Sequence, residues 1–208
     1  MAAIRIGIGG WTYKPWRGTF NPKGLRRADE LDYAASRLGA IEINGTYYRL
    51  QKPASFAKWR DAAPDGFQFT VKASRYCTNR KDLRATGESI ERFLGHGLTE
   101  LGDKLGPLFW QFMPTKRFDP GEFGAFLAML PQSHGGVKLR HALEVRHQSF
   151  VCEEFVAMAR KYNAAIICAH SEKYPKVADQ TADFSYTRLL CAREGPRARC
   201  GAGADRAR

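Results

Sequence analysis

Residues 40–50 read AIEINGTYYRL. Apolar Ile41 and Ile43 alternate with Glu42 and Asn44 before Gly45 breaks the run into an aromatic and basic loop. Period-two alternation, β-branched residues and a glycine stop predict a strand that delivers polar side chains to its C-terminal end. Working outward, further short apolar runs finish the same way. Residues 67–71 end at Lys72, and residues 108–112 carry Gln111. Residues 142–145 carry Glu144 and lead into Arg146 and His147. Residues 165–169 end at His170, and residues 184–189 carry Arg188. Polar groups at the ends of successive buried strands predict one shared site.

The segments between these runs have helical spacing. Residues 27–38 place Leu31, Ala34, Ala35 and Leu38 on one face, and residues 55–63 follow Pro53 and are closed by Pro64, Asp65 and Gly66. Residues 88–101 space Ile90, Phe93, Leu94, Leu98 and Leu101 helically, weakened by glycines at 95 and 97. Asp119-Pro120 starts a helix that runs to residue 130, and residues 153–162 form another. Residues 4–9, IRIGIG, open the chain as its first strand. Strand–helix alternation with continuously apolar strands predicts an α/β fold whose parallel sheet is covered on both faces. No GxGxxG follows the first strand to favour a dinucleotide fold. Polar residues on nearly every strand end favour a (β/α)8 TIM-like barrel, whose sites are assembled from many strand ends. About seven strands can be counted, so the barrel is expected to be incomplete at its C-terminus.

A chain of 208 residues with 44% hydrophobic and 12% aromatic content supports one sizeable core and a single domain. The formal net charge of +12 favours an anionic partner: a phosphate-bearing small molecule, an acidic metabolite or nucleic acid. Cysteines at 77, 152, 168, 191 and 200 are odd in number and lack CxxC spacing, which argues against a disulfide framework or a zinc knuckle. No apolar run approaches the roughly 18 residues of a membrane span, and Met1 leads almost directly into a strand without a signal peptide. A cytoplasmic protein with no membrane association is expected.

Several blocks in fixed order carry a resemblance: GGWTYKPWRGTFNPKGL, IEINGTYYRL, FQFTVKASRYCTNRKDL, LGDKLGPLFWQF with RFDP, LEVRHQSF and TADFSYTRL. Together they resemble domain of unknown function 72, the YecE-like family of bacterial TIM barrels. The likeness runs from about residue 4 to about residue 189. It implies a barrel with its site at the C-terminal rim, and no particular reaction. Carried over position by position, it marks Trp11, Tyr13, Trp16, Glu42, Asn44, Tyr47, Lys72, Gln111, Glu144, Arg146 and Arg188. It implies an acidic residue where this chain has His170, so an acid or metal role at that strand end is in question. It also implies a further helix, strand and helix after the YTRL strand. Residues 191–208, CAREGPRARCGAGADRAR, do not read that way: five arginines stand against Glu194 and Asp205, with no apolar periodicity. Residues 1–190 are therefore read as the barrel domain. Residues 191–208 are read as a basic tail left by truncation or a shifted reading frame, the alternative being a naturally disordered tail.

At the expected mouth, Lys72, Arg146 and Arg188 supply positive charge while Glu42 and Glu144 supply carboxylates. Such a set can bind an anionic substrate and leave a carboxylate as general base, as in hydrolase- or isomerase-like chemistry. Glu144 is the preferred base because Arg146, two residues on, shares its strand face; Glu42 and Lys72 complete the catalytic set. Asn44 and Gln111 are read as substrate-orienting amides. On the rim, Trp11, Tyr13, Trp16 and Tyr47 interleave with Lys14, Arg17, Arg49, Arg75, Arg80 and Lys81, a composition suited to a nucleotide or single-stranded nucleic acid. The competing readings are a buried ion-pair network that only orders the barrel top, aromatic wedges that pack the rim loops, a non-catalytic nucleic-acid-binding module, and an inactive truncated fragment. Glu42, Glu144, His147 and His170 are acceptable metal ligands, but without HExxH or HxH spacing no metal or other cofactor is expected. Cys77, in the basic loop, is the one candidate for an exposed nucleophilic thiol.

Overall fold

The computed structural model describes residues 3–191, so the expectations for 192–208 lie outside the described residues. Within them, seven strands form one sheet: β1 (Gly7–Gly9), β2 (Ala40–Ile43), β3 (Gln68–Lys72), β4 (Leu105–Gln111), β5 (His141–Glu144), β6 (Ala164–His170) and β7 (Tyr186–Leu189). They pair in chain order and every pairing is parallel. Side chains on β7 reach across to Glu42 on β2, so the sheet curls back on itself into a half-barrel, the TIM-like architecture expected from the polar residues at the strand ends.

The helices are α1 (Glu30–Arg37), α2 (Gly45–Tyr48), α3 (Pro53–Ala62), α4 (Arg75–Thr78), α5 (Gly87–Leu94), α6 (Pro120–Ala128) and α7 (Glu153–Lys161). Local chemistry sets several of their starts. Asp119 caps α6 by accepting the Glu122 N–H at 2.7 Å, with Pro120 supplying a fixed φ in the first turn. The main core lies between the sheet and these helices. There Phe112, Phe118, Phe123, Phe126, Phe150 and Phe155 pack in edge-to-face and tilted ring contacts around α6 and α7. A smaller cluster of Phe109, Ala142 and Ile167, joined by Phe184 and Tyr186, fills the inside of the curl.

Three sequence expectations need correction, and one small element was not foreseen. The first strand, expected over residues 4–9, pairs only from Gly7, and Ile4 and Ile6 are exposed. Gly7 lies so close to β2 that a Cβ there would sit 2.3 Å from the Ala40 carbonyl oxygen. The helix expected over 88–101 breaks at Leu94; Gly97 adopts a φ of 104° against Pro53, and a 3-10 segment (Leu98–Lys104) follows. The supposed loop after β3 contains the helical turn α4. Between α6 and β5, Ser133–His134 and Val137–Lys138 form a small antiparallel hairpin, closed by Gly135 and Gly136 at positive φ.

Candidate functional site at the mouth of the half-barrel

Parallel pairing brings the C-terminal ends of β2, β3, β4 and β5 side by side, and the polar residues expected there converge. Glu144, the last residue of β5, is fully buried, and Gln111, its register partner on β4, donates Nε2 to its Oε1 at 2.7 Å. Arg146 donates to the same oxygen through Nε at 2.7 Å and lies 2.6 Å from it through Nη2. Arg188, arriving on β7, donates Nη1 to Glu144 Oε2 at 2.5 Å. Its Nη2 and Nε reach Oε1 and Oε2 of Glu42, each at 3.1 Å. One guanidinium thus ties two carboxylates from opposite sides of the curl, in the forked geometry that makes arginine–carboxylate pairs strong. The Tyr186 hydroxyl donates to Glu42 Oε2 at 2.8 Å.

Lys72, at the end of β3, is the exception. It is 9% exposed, and among the described residues its ammonium has no hydrogen-bond or ion-pair partner; it lies over the rings of Tyr47 (4.7 Å) and Phe109 (5.1 Å). Burial lowers its pKa to about 8, with Arg188 and Arg146 adding to the fall and Glu42 and Glu144 opposing it. Glu144 behaves oppositely. Burial pushes its carboxyl up, but Arg188, Arg146 and the hydrogen bonds from Arg188 and Gln111 outweigh it and hold the group below the usual carboxylate value. Burial lowers the Arg188 pKa, yet its two carboxylate partners leave it raised overall.

The rim residues divide. Tyr47 faces Lys72 with its ring and accepts a hydrogen bond on its hydroxyl from Asn79 Nδ2 at 2.9 Å. Asn44 caps α2 by position and stands near Glu42: a Cβ at Gly9 would meet Asn44 Nδ2 at 3.2 Å and Glu42 Oε1 at 3.4 Å. Tyr13 donates its hydroxyl to the Gly9 carbonyl, and burial with the charge of Glu42 raises its pKa. Trp11 packs edge to face on Trp59 of α3 and so fastens the first loop to the barrel, while Trp16 packs against Tyr13 and Phe20 within that loop.

Two readings of single residues change. Cys77 is not an exposed thiol: it is fully buried in α4, donates to the Ser89 carbonyl at 3.3 Å, and its pKa is pushed up to about 12 by burial. His147 turns to Ser149 rather than to the mouth, accepting the Ser149 N–H at 3.1 Å on Nδ1. Among the described residues no three His, Cys, Asp or Glu side chains gather as a metal-binding group. The sequence reading passed over Tyr186, although its position two residues before Arg188 places both on one face of β7. It also missed Tyr174, whose ring lies 4.4 Å from the Arg146 guanidinium; a loop residue without periodicity offers no such signal.

A profile of the family described as protein of unknown function DUF72 matches residues 5–207. UPF0759 protein YecE of Escherichia coli (strain K12) is 27% identical over 147 residues, covering 71% of this chain and 50% of that protein. UPF0759 protein YunF of Bacillus subtilis (strain 168) is 25% identical over 174 residues, covering 81% of this chain and 59% of that protein. The chain therefore spans about half the length of the curated relatives it matches. Among solved structures, a DUF72 family protein of Thermotoga maritima superposes with a TM-score of 0.70 at 22% identity, over 88% of this chain and 72% of that one. One from Enterococcus faecalis gives 0.69 at 19% identity, over 86% and 67%. At these identities the likeness speaks for the fold alone. Among the described residues no helix is long and apolar enough to cross a membrane.

Proposed function

This chain belongs to the DUF72 family, and from that premise we propose that it binds a phosphate-bearing or other anionic small molecule at the C-terminal rim of its half-barrel, with Lys72 as the proton-exchanging group. The observation that carries the reading is the isolation of Lys72: a buried ammonium beside aromatic rings, without an acceptor among the described residues, with its pKa brought to about 8 by burial. A group so placed can be neutralised by an incoming anion and can exchange a proton near neutral pH. The lattice of Glu42, Arg188, Glu144, Gln111 and Arg146 acts as the rigid floor that orients it. Glu144, favoured as base from its strand position, is less suited to that task, because donors occupy both its oxygens and its acidity is enhanced. Asn44, Tyr47 and Tyr13 stand as orienting contacts around the same opening. We place the protein in the cytoplasm, in keeping with unpaired thiols at Cys77, Cys152, Cys168 and Cys191.

The test is a thermal-shift screen of the purified chain against phosphate, sugar phosphates, small carboxylates and short DNA and RNA. A small anion that raises Tm in the parent and not in Lys72→Met supports the reading. Stabilisation by nucleic acid alone, steeply salt-dependent and indifferent to Lys72→Met, would replace it with a non-catalytic nucleic-acid-binding module. The absence of any cooperative transition would favour an inactive fragment.

A further inference from the structure

Beside the mouth, and sharing none of the residues tied to Glu144, lies a cleft of about 330 Å3 between the turn after β2 and the pair α4–α5. Three arginines line it: Arg49 after α2, Arg80 after α4, and Arg92 on α5. Arg92 pairs with exposed Glu88 at 2.8 Å. Among the described residues no carboxylate pairs with Arg49 or Arg80, and the Arg80 Nε–H is used on the Tyr76 carbonyl at 3.3 Å. Guanidinium groups gathered without counter-charge raise a local positive potential that a phosphate relieves, and their forked donors match its oxygens.

Two tyrosines complete the cleft. Tyr48 and Tyr76 are 68% and 55% exposed, an unusual display of ring surface beside a fully buried Cys77 and Thr78 in the same turn as Tyr76. The Tyr48 ring is held at 5.1 Å from Tyr47 in an edge-to-face contact, and the α4 turn is capped by Ser74, whose Oγ accepts the Tyr76 N–H at 3.4 Å. Both rings are thus mounted on anchored turns with surface open to solvent, and the Arg75 guanidinium lies over the Tyr76 ring at 5.3 Å, leaving the other face of that ring for stacking. Arginines supply charge and tyrosine faces supply a stacking platform for a planar base. The cleft volume falls at the small end of ligand pockets, the size of one nucleotide rather than of a chain.

We propose that this cleft is a second ligand site, separate from the mouth, that binds a nucleoside 5′-phosphate, its phosphate held by Arg49 and Arg80 and its base stacked on Tyr48 or Tyr76.

Isothermal titration of the full chain with adenosine and guanosine 5′-monophosphates, inorganic phosphate and an oligothymidine tests this. A mononucleotide should bind, the Arg49→Ala/Arg80→Ala pair should weaken it at least about tenfold, and Tyr76→Leu combined with Tyr48→Leu should weaken it at least about fivefold. Lys72→Met should leave this affinity unchanged, which separates the cleft from the mouth. All these substitutions except Lys72→Met lie at exposed side chains, and each variant's unfolding transition verifies that it folds. The proposal is overturned if neither mononucleotide binds, if inorganic phosphate binds Lys72→Met, in which the mouth is disabled, as tightly as the nucleotides do, or if the arginine pair variant binds like the parent. It is equally overturned if Lys72→Met abolishes binding, or if only the oligothymidine is retained.

Discussion

Arg188 donates to Glu144 at 2.5 Å across strands β5 and β7 while holding Glu42 of β2 with its other two donors. A single side chain therefore links the last strand of the described sheet to one near its beginning. Both carboxylates are nearly inaccessible, at 5% for Glu42 and 0% for Glu144, so removing their shared partner strands negative charge in a place water reaches poorly. Arg188→Ala should destabilise the fold by about 3–5 kcal/mol, and Arg188→Lys, lacking the fork, should recover less than half of that. Urea denaturation read by circular dichroism decides it; a loss under about 1 kcal/mol would mean the ion pairs do not hold the curl together.

Lys72 should leave a mark on the alkaline side of the stability profile. Its folded pKa of about 8 lies below the ~10.4 of an unfolded lysine, so between those values the unfolded chain keeps a proton that the folded chain has released. Its contribution to stability therefore rises from about pH 8 to about pH 10 and is flat below. In Lys72→Met that rise should vanish. Acylation of Lys72 by a small anhydride, followed by mass spectrometry, should show a half-point near pH 8; one near pH 10 would remove the basis for assigning it a proton-exchanging role.

His141 governs the acid side. It is buried, its Nε2 lies 2.9 Å from the Pro131 carbonyl, and its Nδ1 accepts the Trp110 indole N–H at 3.1 Å, an arrangement that uses the neutral ring with its proton on Nε2. Burial lowers its pKa, so the folded protein refuses a proton that the unfolded chain accepts below about pH 6.5. Stability from this group is complete above that pH and is lost on acidification. His141→Phe should flatten the decline between pH 7 and pH 5, with His96, likewise lowered by burial, keeping part of it. An unchanged slope would assign the acid sensitivity elsewhere.

Cys77 offers a probe of opening rather than of chemistry. With the thiol buried and raised to about 12, its alkylation at pH 8 should require unfolding of the α4 turn, whereas half-buried Cys152 should react first. Peptide mapping after timed iodoacetamide treatment gives the order; Cys77 labelling as fast as Cys152 would show that α4 opens freely.

Much of the barrel was written in one-dimensional pattern. Runs such as 105–111 and 164–170 are apolar on both faces because helices cover one side and the curl the other, and the polar ends of β3, β4 and β5 announced Lys72, Gln111 and Glu144. Boundaries were less legible where long-range approach overrides propensity: β1 shrinks to three residues at its close pairing with Ala40, and Gly97 beside Pro53 ends a helix its apolar spacing would continue. The cleft between Tyr48 and Arg92 was legible only as a list of cations and aromatic residues, since the chain brings them from three segments.

What the sequence by itself determined is the strand–helix order, the parallel α/β class, and which side chains stand at strand ends, because period-two and period-3.6 burial are local properties of the chain. Only the tertiary structure decided how those side chains divide the charge. The 144 residues separating Tyr186 from Glu42, and the 44 separating Arg188 from Glu144, are closed by the curvature of the sheet, and that closure pairs both glutamates with Arg188 while leaving Lys72 among aromatic rings. It is burial at short distance, set by the curl, that separates carboxylates paired with arginine from a buried lysine that has no such partner among the described residues.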